Sequence, residues 1–260
     1  MRICSVIFAF VMTTATFADA PADIANRTLT NQSSVDEILD ALDARGKGFK
    51  SFSADVKLEE TTTDMGNTTT RFGTVIYQDQ GDGRARIRVS FDRVQHNGAK
   101  PVEEKLIYEL IDGKLIERNY KTKSQVTQQV TRPGEKLDLF KLGQGPFPLP
   151  IGQPKEEVHK QFAVKKIDPD KENDPPNTVH LQLTPNPDTR LARKLKTIDT
   201  WVEVKTHMPI RIGTRDHNET MDRTTDLSNV KVNPNLTDQD FDLGKLPDPN
   251  WNVTDQPFQD

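Results

Sequence analysis

Cysteine is nearly absent. The single cysteine in 260 residues is Cys4. It lies at the start of a short apolar run rather than after it, so it is not placed as the lipid-bearing cysteine of a lipoprotein signal. With a leader removed after Ala18, the chain carries no thiol. That excludes disulfides, thiolate metal sites and cysteine nucleophiles together. Long hydrophobic runs are also lacking. The run at residues 3–12 is too short to span a bilayer comfortably, and no later run is long and apolar enough. A basic excess is missing as well: the formal net charge is -4 and the pI is about 5.8. The electrostatic footprint of a nucleic-acid binder is therefore not there. Arg84, Arg86 and Arg88 form a basic cluster, but they alternate with apolar residues and read as the solvated face of a strand. Hydrophobic residues make up 33% of the chain, and its mean hydropathy is -0.69. That is little for a thick core but enough for a sheet with one wet face.

Catalytic patterns are scarce too. The five histidines (His96, His159, His180, His207 and His217) do not stand at metal-ligand spacing from one another. There is no H-E-x-x-H, no G-x-S-x-G and no glycine-rich phosphate loop ahead of a helix. Gly81-Asp82-Gly83 lies between two strand patterns. Asp79-Gln80-Gly81-Asp82 reads as a hairpin turn rather than a calcium loop, because the ligand series and terminal glutamate are missing. Asp168, Asp170, Glu172 and Asp174 read as a solvated loop. N-x-[ST] sequons begin at Asn26, Asn31, Asn67, Asn218, Asn235 and Asn252. In a chain rich in polar turns, a motif this short carries little specificity. No metal and no cofactor is expected, and the chain is not expected to be an enzyme.

What is present is a leader-like start followed by a helix and many strands. Arg2, the apolar run and the small residues ending at Ala18 have the layout of a signal peptide, residues 1–18, for export to a periplasm. Residues 19–33 are polar and read as a disordered linker. Ser34-Val35-Asp36-Glu37 is a capping box, and Val35, Ile38, Leu39 and Leu42 follow at helical spacing until Gly46. The period then becomes two. Phe52, Ala54, Val56 and Leu58 alternate with Ser53, Asp55, Lys57 and Glu59. Further strands are expected at Phe72–Tyr77, around Ala85–Phe91, at Lys105–Ile111 and, after the hairpin signal Asp112-Gly113, at Leu115–Asn119, with a weaker one at Gln125–Val130. Short helices are expected at 134–142 and 155–161. Strands resume at 162–167 and 179–183, then at 197–205, 210–216 and 220–232, with Phe241-Asp242-Leu243 as the last. About ten or eleven antiparallel strands without βαβ order predict an α+β fold. The architecture expected is one strongly curved sheet, an open half-barrel, with an N-terminal helix and short helices over its concave side. Residues 34–255 form the domain and 256–260 a tail.

Gly145-Pro146-Phe147-Pro148-Leu149-Pro150-Ile151-Gly152 stands out from this polar background. Three prolines exclude a central strand or an ordinary helix. The segment is extended or turned, with a greasy face that either plugs a core or closes over an apolar ligand. Periodicity alone leaves both open.

Several degenerate motifs, taken in order and spacing, resemble one family. They include Gly145-Pro146-Phe147 with the helix after it and His180-Leu181-Gln182-Leu183-Thr184-Pro185. Asp216-His217-Asn218 with Thr220, and Leu227-Ser228-Asn229-Val230-Lys231-Val232-Asn233, come next. Phe241-Asp242-Leu243 and Pro249-Asn250-Trp251-Asn252-Val253 complete the series. Together, from Ser34 to Val253, they resemble the periplasmic outer-membrane lipoprotein carriers, the LolA-like family. The turn Asp79-Gln80-Gly81-Asp82 lacks the family's Arg-Pro, and 168–176 and 188–196 look like insertions. The resemblance implies an apolar cavity for acyl chains. On that basis the expected lipid-binding residues are Phe52, Val56, Leu58, Phe72, Ile76, Ile87, Val89, Phe91, Leu106 and Tyr108 on the sheet. Phe140, Phe147, Leu149 and Ile151 are expected from the lid. The expected function is a carrier of lipoprotein acyl chains or other lipid toward the outer membrane, with membrane donor and acceptor proteins as partners, no nucleic acid, and a monomeric state. A same-fold sensor of envelope state with a protein partner, and a secreted hydrolase, are the alternatives.

Overall fold

The computed structural model describes residues 27–81, 84–132 and 151–258. Among these, twelve strands form one curved, unclosed sheet. They are β1 (Ser51–Thr62), β2 (Asn67–Gly81), β3 (Arg84–His96), β4 (Val102–Ile111), β5 (Lys114–Asn119), β6 (Ser124–Gln129), β7 (Phe162–Ile167), β8 (Thr178–Pro185), β9 (Leu195–Glu203), β10 (Pro209–Asp216), β11 (Met221–Val232) and β12 (Asn252–Gln256). The helices are α1 (Val35–Gly46) and α2 (Lys155–Gln161). The strand order is β12-β6-β5-β4-β3-β2-β1-β11-β10-β9-β8-β7. This is the α+β open half-barrel that the sequence predicts. Two details differ. β12 pairs with β6 in parallel, so the sheet is mixed. The stretch expected as a last strand at Phe241 is instead a 3-10 turn, Asp238–Phe241, and the last strand lies further on.

The start of α1 follows its capping box. Ser34 Oγ accepts from the Glu37 amide at 3.2 Å, and Glu37 Oε2 accepts from the Ser34 amide at 2.8 Å. The Ser34 amide and the Ser34 hydroxyl, both donating to Glu37 Oε2, hold that carboxyl below the ordinary carboxylate range. Ile38, Leu39, Ala41 and Leu42 then turn one stripe into the core. At the far end a Cβ on Gly46 would lie 2.1 Å from Gly152 Cα, so glycine is what lets the two backbones meet. The Gly152 amide donates to the Leu42 carbonyl. Chain re-entering at Ile151, itself buried, is thereby sealed against α1.

Register decides which side chains share a face. The four-residue connection 63–66 sets Phe52 opposite Tyr77, Ala54 opposite Val75, Val56 opposite Gly73 and Leu58 opposite Arg71. Side chains of paired residues point the same way. The inner face continues through Ile87, Val89 and Phe91 on β3 to Leu110, Tyr108 and Leu106 on β4. In the other direction it continues through Ile212, Thr200 and Leu181. α1, α2 and Ile151 join the β7–β9 part of this face in one core. Leu181, Leu183, Ile198 and Val202 there are fully buried.

The chain ahead of α1, expected within a linker, is anchored where it is described. Leu29 is buried in the core and its amide donates to the Val204 carbonyl at 2.9 Å. Lys166 Nζ donates to the carbonyls of Asn31 and Ser33, both at 2.8 Å.

The outer face corrects the reading of the arginines. Arg86 and Arg88 do alternate with apolar residues, but they are buried, with only 6% and 9% of their surface exposed. The stretch after β11 lies over them. Phe241 stacks under the Arg86 guanidinium at 4.0 Å, and Arg88 donates to the carbonyl of Asp240 at 3.0 Å.

Asn233 joins β11 to the start of β1. Its Oδ1 accepts from the amides of Lys50 (2.8 Å) and Ser51 (3.2 Å), and its Nδ2 donates to the Gly48 carbonyl. Its φ of 53° is a left-handed conformation that asparagine tolerates. Asn233→Ala loses three bonds and keeps the unfavourable backbone. We expect it to cost about 2 kcal/mol in equilibrium urea unfolding. A loss below about 0.5 kcal/mol contradicts this role.

Candidate functional site

Among the described residues the helices cover only part of the inner face. Where they stop, a pocket of about 320 Å³ opens between β1–β5 on one side and β10–β11 on the other. Leu58, Ile87, Val89, Phe91, Leu110, Leu115 and Ile212 make its apolar wall, with the ring of Tyr108. The wall follows from the register, because Leu58, Val89, Phe91 and Tyr108 all fall on inner positions of the sheet. The Asp112-Gly113 hairpin sets Leu115 opposite Leu110, which extends the wall by one strand.

One end of the pocket is charged. Glu60 follows Leu58 in the inner series of β1. It accepts from Arg71 Nη1 at 2.6 Å on Oε2 and from Arg223 Nε at 2.9 Å on Oε1. Thr214 and Thr225 complete this end. Arg71 and Glu60 are about a quarter exposed and Arg223 nearly half. Arg71 Nε is buried and has no hydrogen-bond partner among the described residues. Burial pushes the Tyr108 hydroxyl above the ordinary phenol range; the Glu117 carboxylate adds to this and Arg71 opposes it. Tyr108 is thus a neutral hydroxyl against an apolar wall.

The residues expected to meet a lipid divide into several groups. Leu58, Ile87, Val89, Phe91 and Tyr108 line the pocket. Phe52, Val56 and Leu106 lie on the same face but are buried in the core beside it. Phe72 and Ile76 fall on the outer face, opposite Lys57 and Ser53. Phe72 there lies under the Arg93 guanidinium at 5.3 Å. Ile151 packs into the core with α1. Phe140, Phe147 and Leu149 lie outside the described residues, as does the apolar run at 3–12. The pocket residues not foreseen are Leu110, Leu115 and Ile212 in the wall, and Glu60, Arg71, Thr214, Arg223 and Thr225 at the charged end. Leu110 was within reach, since it continues the Leu106, Tyr108 alternation.

Other polar constellations are structural. His180 is not solvated. It stacks on Trp201 at 4.0 Å, and its Nε2 lies 2.9 Å from Asp199 Oδ1 on the outer face. The loop 168–177 covers that pair, with Asp174 Oδ1 accepting from Trp201 Nε1 at 2.6 Å. His207 Nε2 meets the Arg27 carbonyl at 2.8 Å. Asp216, from the motif series, accepts from the Met221 amide and the Thr220 hydroxyl and so shapes the β10–β11 turn. Among the described residues no group of three or more His, Cys, Asp or Glu could hold a metal ion. No described helix is long and apolar enough to cross a membrane.

No protein-family profile matches the chain, and no curated protein sequence matches it. Similar solved structures do exist. A conserved protein from Thermus thermophilus is 13% identical with a TM-score of 0.48, over 86% of this chain and 100% of that one. The Pseudomonas aeruginosa MucA/MucB complex contains a chain 13% identical with a TM-score of 0.44, over 80% of this chain and 60% of that one. A domain described as an outer membrane lipoprotein-sorting protein from Vibrio parahaemolyticus is 12% identical with a TM-score of 0.38, over 79% of this chain and 94% of that one.

Proposed function

We propose that this chain is a lipid carrier of the periplasm that holds an acyl chain in the inner-face pocket and releases it unchanged. The observation that carries this reading is the pocket itself. Its apolar wall is built from seven aliphatic or aromatic side chains and Tyr108, contributed by both arms of the curved sheet. Among the described residues no side chain fills this space. The volume is at the small end of the roughly 300–1,000 Å³ of small-ligand sites. A methylene is about the size of a water molecule, which takes up ~30 Å³, so the pocket holds on the order of ten chain carbons. At about 0.8 kcal/mol each, burying them yields roughly 8 kcal/mol before the cost of association. That suits binding that is firm but reversible, as transfer between a donor and an acceptor membrane protein requires. Export rests on the leader-like residues 1–18, and the monomeric state belongs to the same proposal.

Native mass spectrometry of gently purified protein tests the reading. A co-purified lipid or acylated peptide is the expected result. An empty protein that also fails to bind any alkyl probe overturns it. Leu58→Lys is the companion variant. Leu58 is only half-buried, so the sheet tolerates the change, yet a bound chain must then cover an ammonium. Affinity for decanol should fall at least about tenfold, with the melting temperature nearly unchanged. Unaltered affinity places the lipid elsewhere.

A further inference from the structure

The charged end of the pocket has more positive charge than its one carboxylate balances. Arg71 and Arg223 stand on two different strands and converge on Glu60 from opposite sides, one to each carboxylate oxygen. The three groups sum to one positive charge. Glu117, the carboxylate opposite Tyr108 on β5, lies outside the pocket lining. Arg71 has used one of its donors on Glu60, and its buried Nε is left without a partner among the described residues. A buried guanidinium donor with no acceptor is unfavourable, and an anion arriving beside it is favoured by charge and by hydrogen bonding together. Thr214 and Thr225 offer hydroxyls at the same end. The Tyr108 hydroxyl, held neutral, can donate without adding negative charge.

We infer that the pocket selects single-chain amphiphiles with an anionic end group, a carboxylate or a phosphate monoester, bound beside Arg71 and Arg223 with the chain along the Leu58–Val89–Leu110 wall. The inference rests on the proposed acyl-chain pocket and adds the identity of the head group. The size of the pocket supports one chain rather than several. Two guanidiniums on separate strands suit an end group with at least two charged oxygens, as a carboxylate or phosphate has and an alcohol or a glyceride ester has not. Glu60 sets the arrangement: it holds both arginines in place in the empty pocket and leaves their remaining donors aimed at the ligand.

The test compares probes of one chain length on the purified full chain by titration calorimetry at pH 8, where the acid is ionised. Decanoate, decyl phosphate and decanol are measured below their aggregation limits, with acetate and inorganic phosphate as chain-free controls. Decanoate or decyl phosphate should bind at least about tenfold more tightly than decanol, and the better of the two names the head group. Acetate and inorganic phosphate should bind far more weakly than either. Arg223→Gln, at a half-exposed strand position, should remove most of the preference for the anion, lowering decanoate affinity far more than decanol affinity. Arg71→Gln checks the same point from the second strand. Equal affinity for decanol and decanoate overturns the head-group inference and leaves the acyl pocket standing. Inorganic phosphate binding as tightly as decyl phosphate also overturns it, by making this a free-anion site. Binding of no probe overturns both readings.

Discussion

Gly73→Ala should destabilise the protein by about 3 kcal/mol or more, and it should weaken the proposed acyl-chain binding in whatever fraction stays folded. Gly73 sits on the inner face of β2, where β3 carries an extra residue: Phe72 pairs with Arg93, but Gly73 pairs with Phe91. The bulge brings the β3 backbone over Gly73. A Cβ there would lie 1.9 Å from the Ser90 carbonyl oxygen and 2.7 Å from Phe91 Cα. Both are backbone atoms of a paired strand, so no side chain can rotate away to make room. Either β3 moves outward and breaks ladder bonds, or the bulge is lost and every inner residue beyond it changes face. Val89 and Phe91 belong to the pocket wall, so the same displacement deforms the site. Equilibrium urea unfolding measures the first effect and decanol titration the second. A loss of less than about 1 kcal/mol means that the strands have more room than this packing allows.

The same segment shows how far the sequence can be read. β1 is plain, because Phe52, Ala54, Val56 and Leu58 alternate strictly with polar residues. β2 is not. Phe72 and Ile76 have one parity, Val75 and Tyr77 the other, and local pattern cannot choose between them. The length of the 63–66 connection chooses, by pairing even positions of β1 with odd positions of β2. Arg71 therefore turns inward, and Phe72 and Ile76 outward. The charged end of the pocket has still less local signature. Glu60, Arg71 and Arg223 come from three strands, and Arg223 lies 163 residues from Glu60 along the chain. Only a known register joins them. The long apolar alternations mark the wall, while the polar groups at the charged end look, one at a time, like ordinary solvated strand residues.

Arg86 and Arg88 illustrate a different limit, and they lead to a second large effect. Their alternation is legible, but what covers them is not, since Asp238 meets Arg86 across 152 residues of chain. Beneath that cover Arg88 donates from Nε (2.7 Å) and Nη2 (2.5 Å) to Glu109 Oε2, and Glu109 is only 3% exposed. Glu109→Leu leaves the Arg88 guanidinium buried without its carboxylate. The expected cost is roughly 3–5 kcal/mol. The double variant Arg88→Met with Glu109→Leu should recover most of that, because removing both charges also removes the need to desolvate them. The titration of Glu109 points the same way. Burial pushes its carboxyl above the ordinary range, and the attraction of Arg88 opposes this without overcoming it. With the folded pKa above the unfolded one, the native state binds the extra proton between the two values. The associated stability is present below the unfolded pKa and is lost as pH rises through the folded pKa. Wild-type protein should therefore lose stability relative to the double variant as pH rises through that window, measured as the difference between their urea-unfolding free energies at each pH. Arg88 also donates to the Asp240 carbonyl, so the double variant is expected to loosen the stretch around Phe241 even where global stability is restored. Amide exchange confined to residues 238–244 reports that loosening. If the double variant instead unfolds as readily as Glu109→Leu alone, the pair is not what holds this face, and the carbonyl contacts of Arg88 carry the stability.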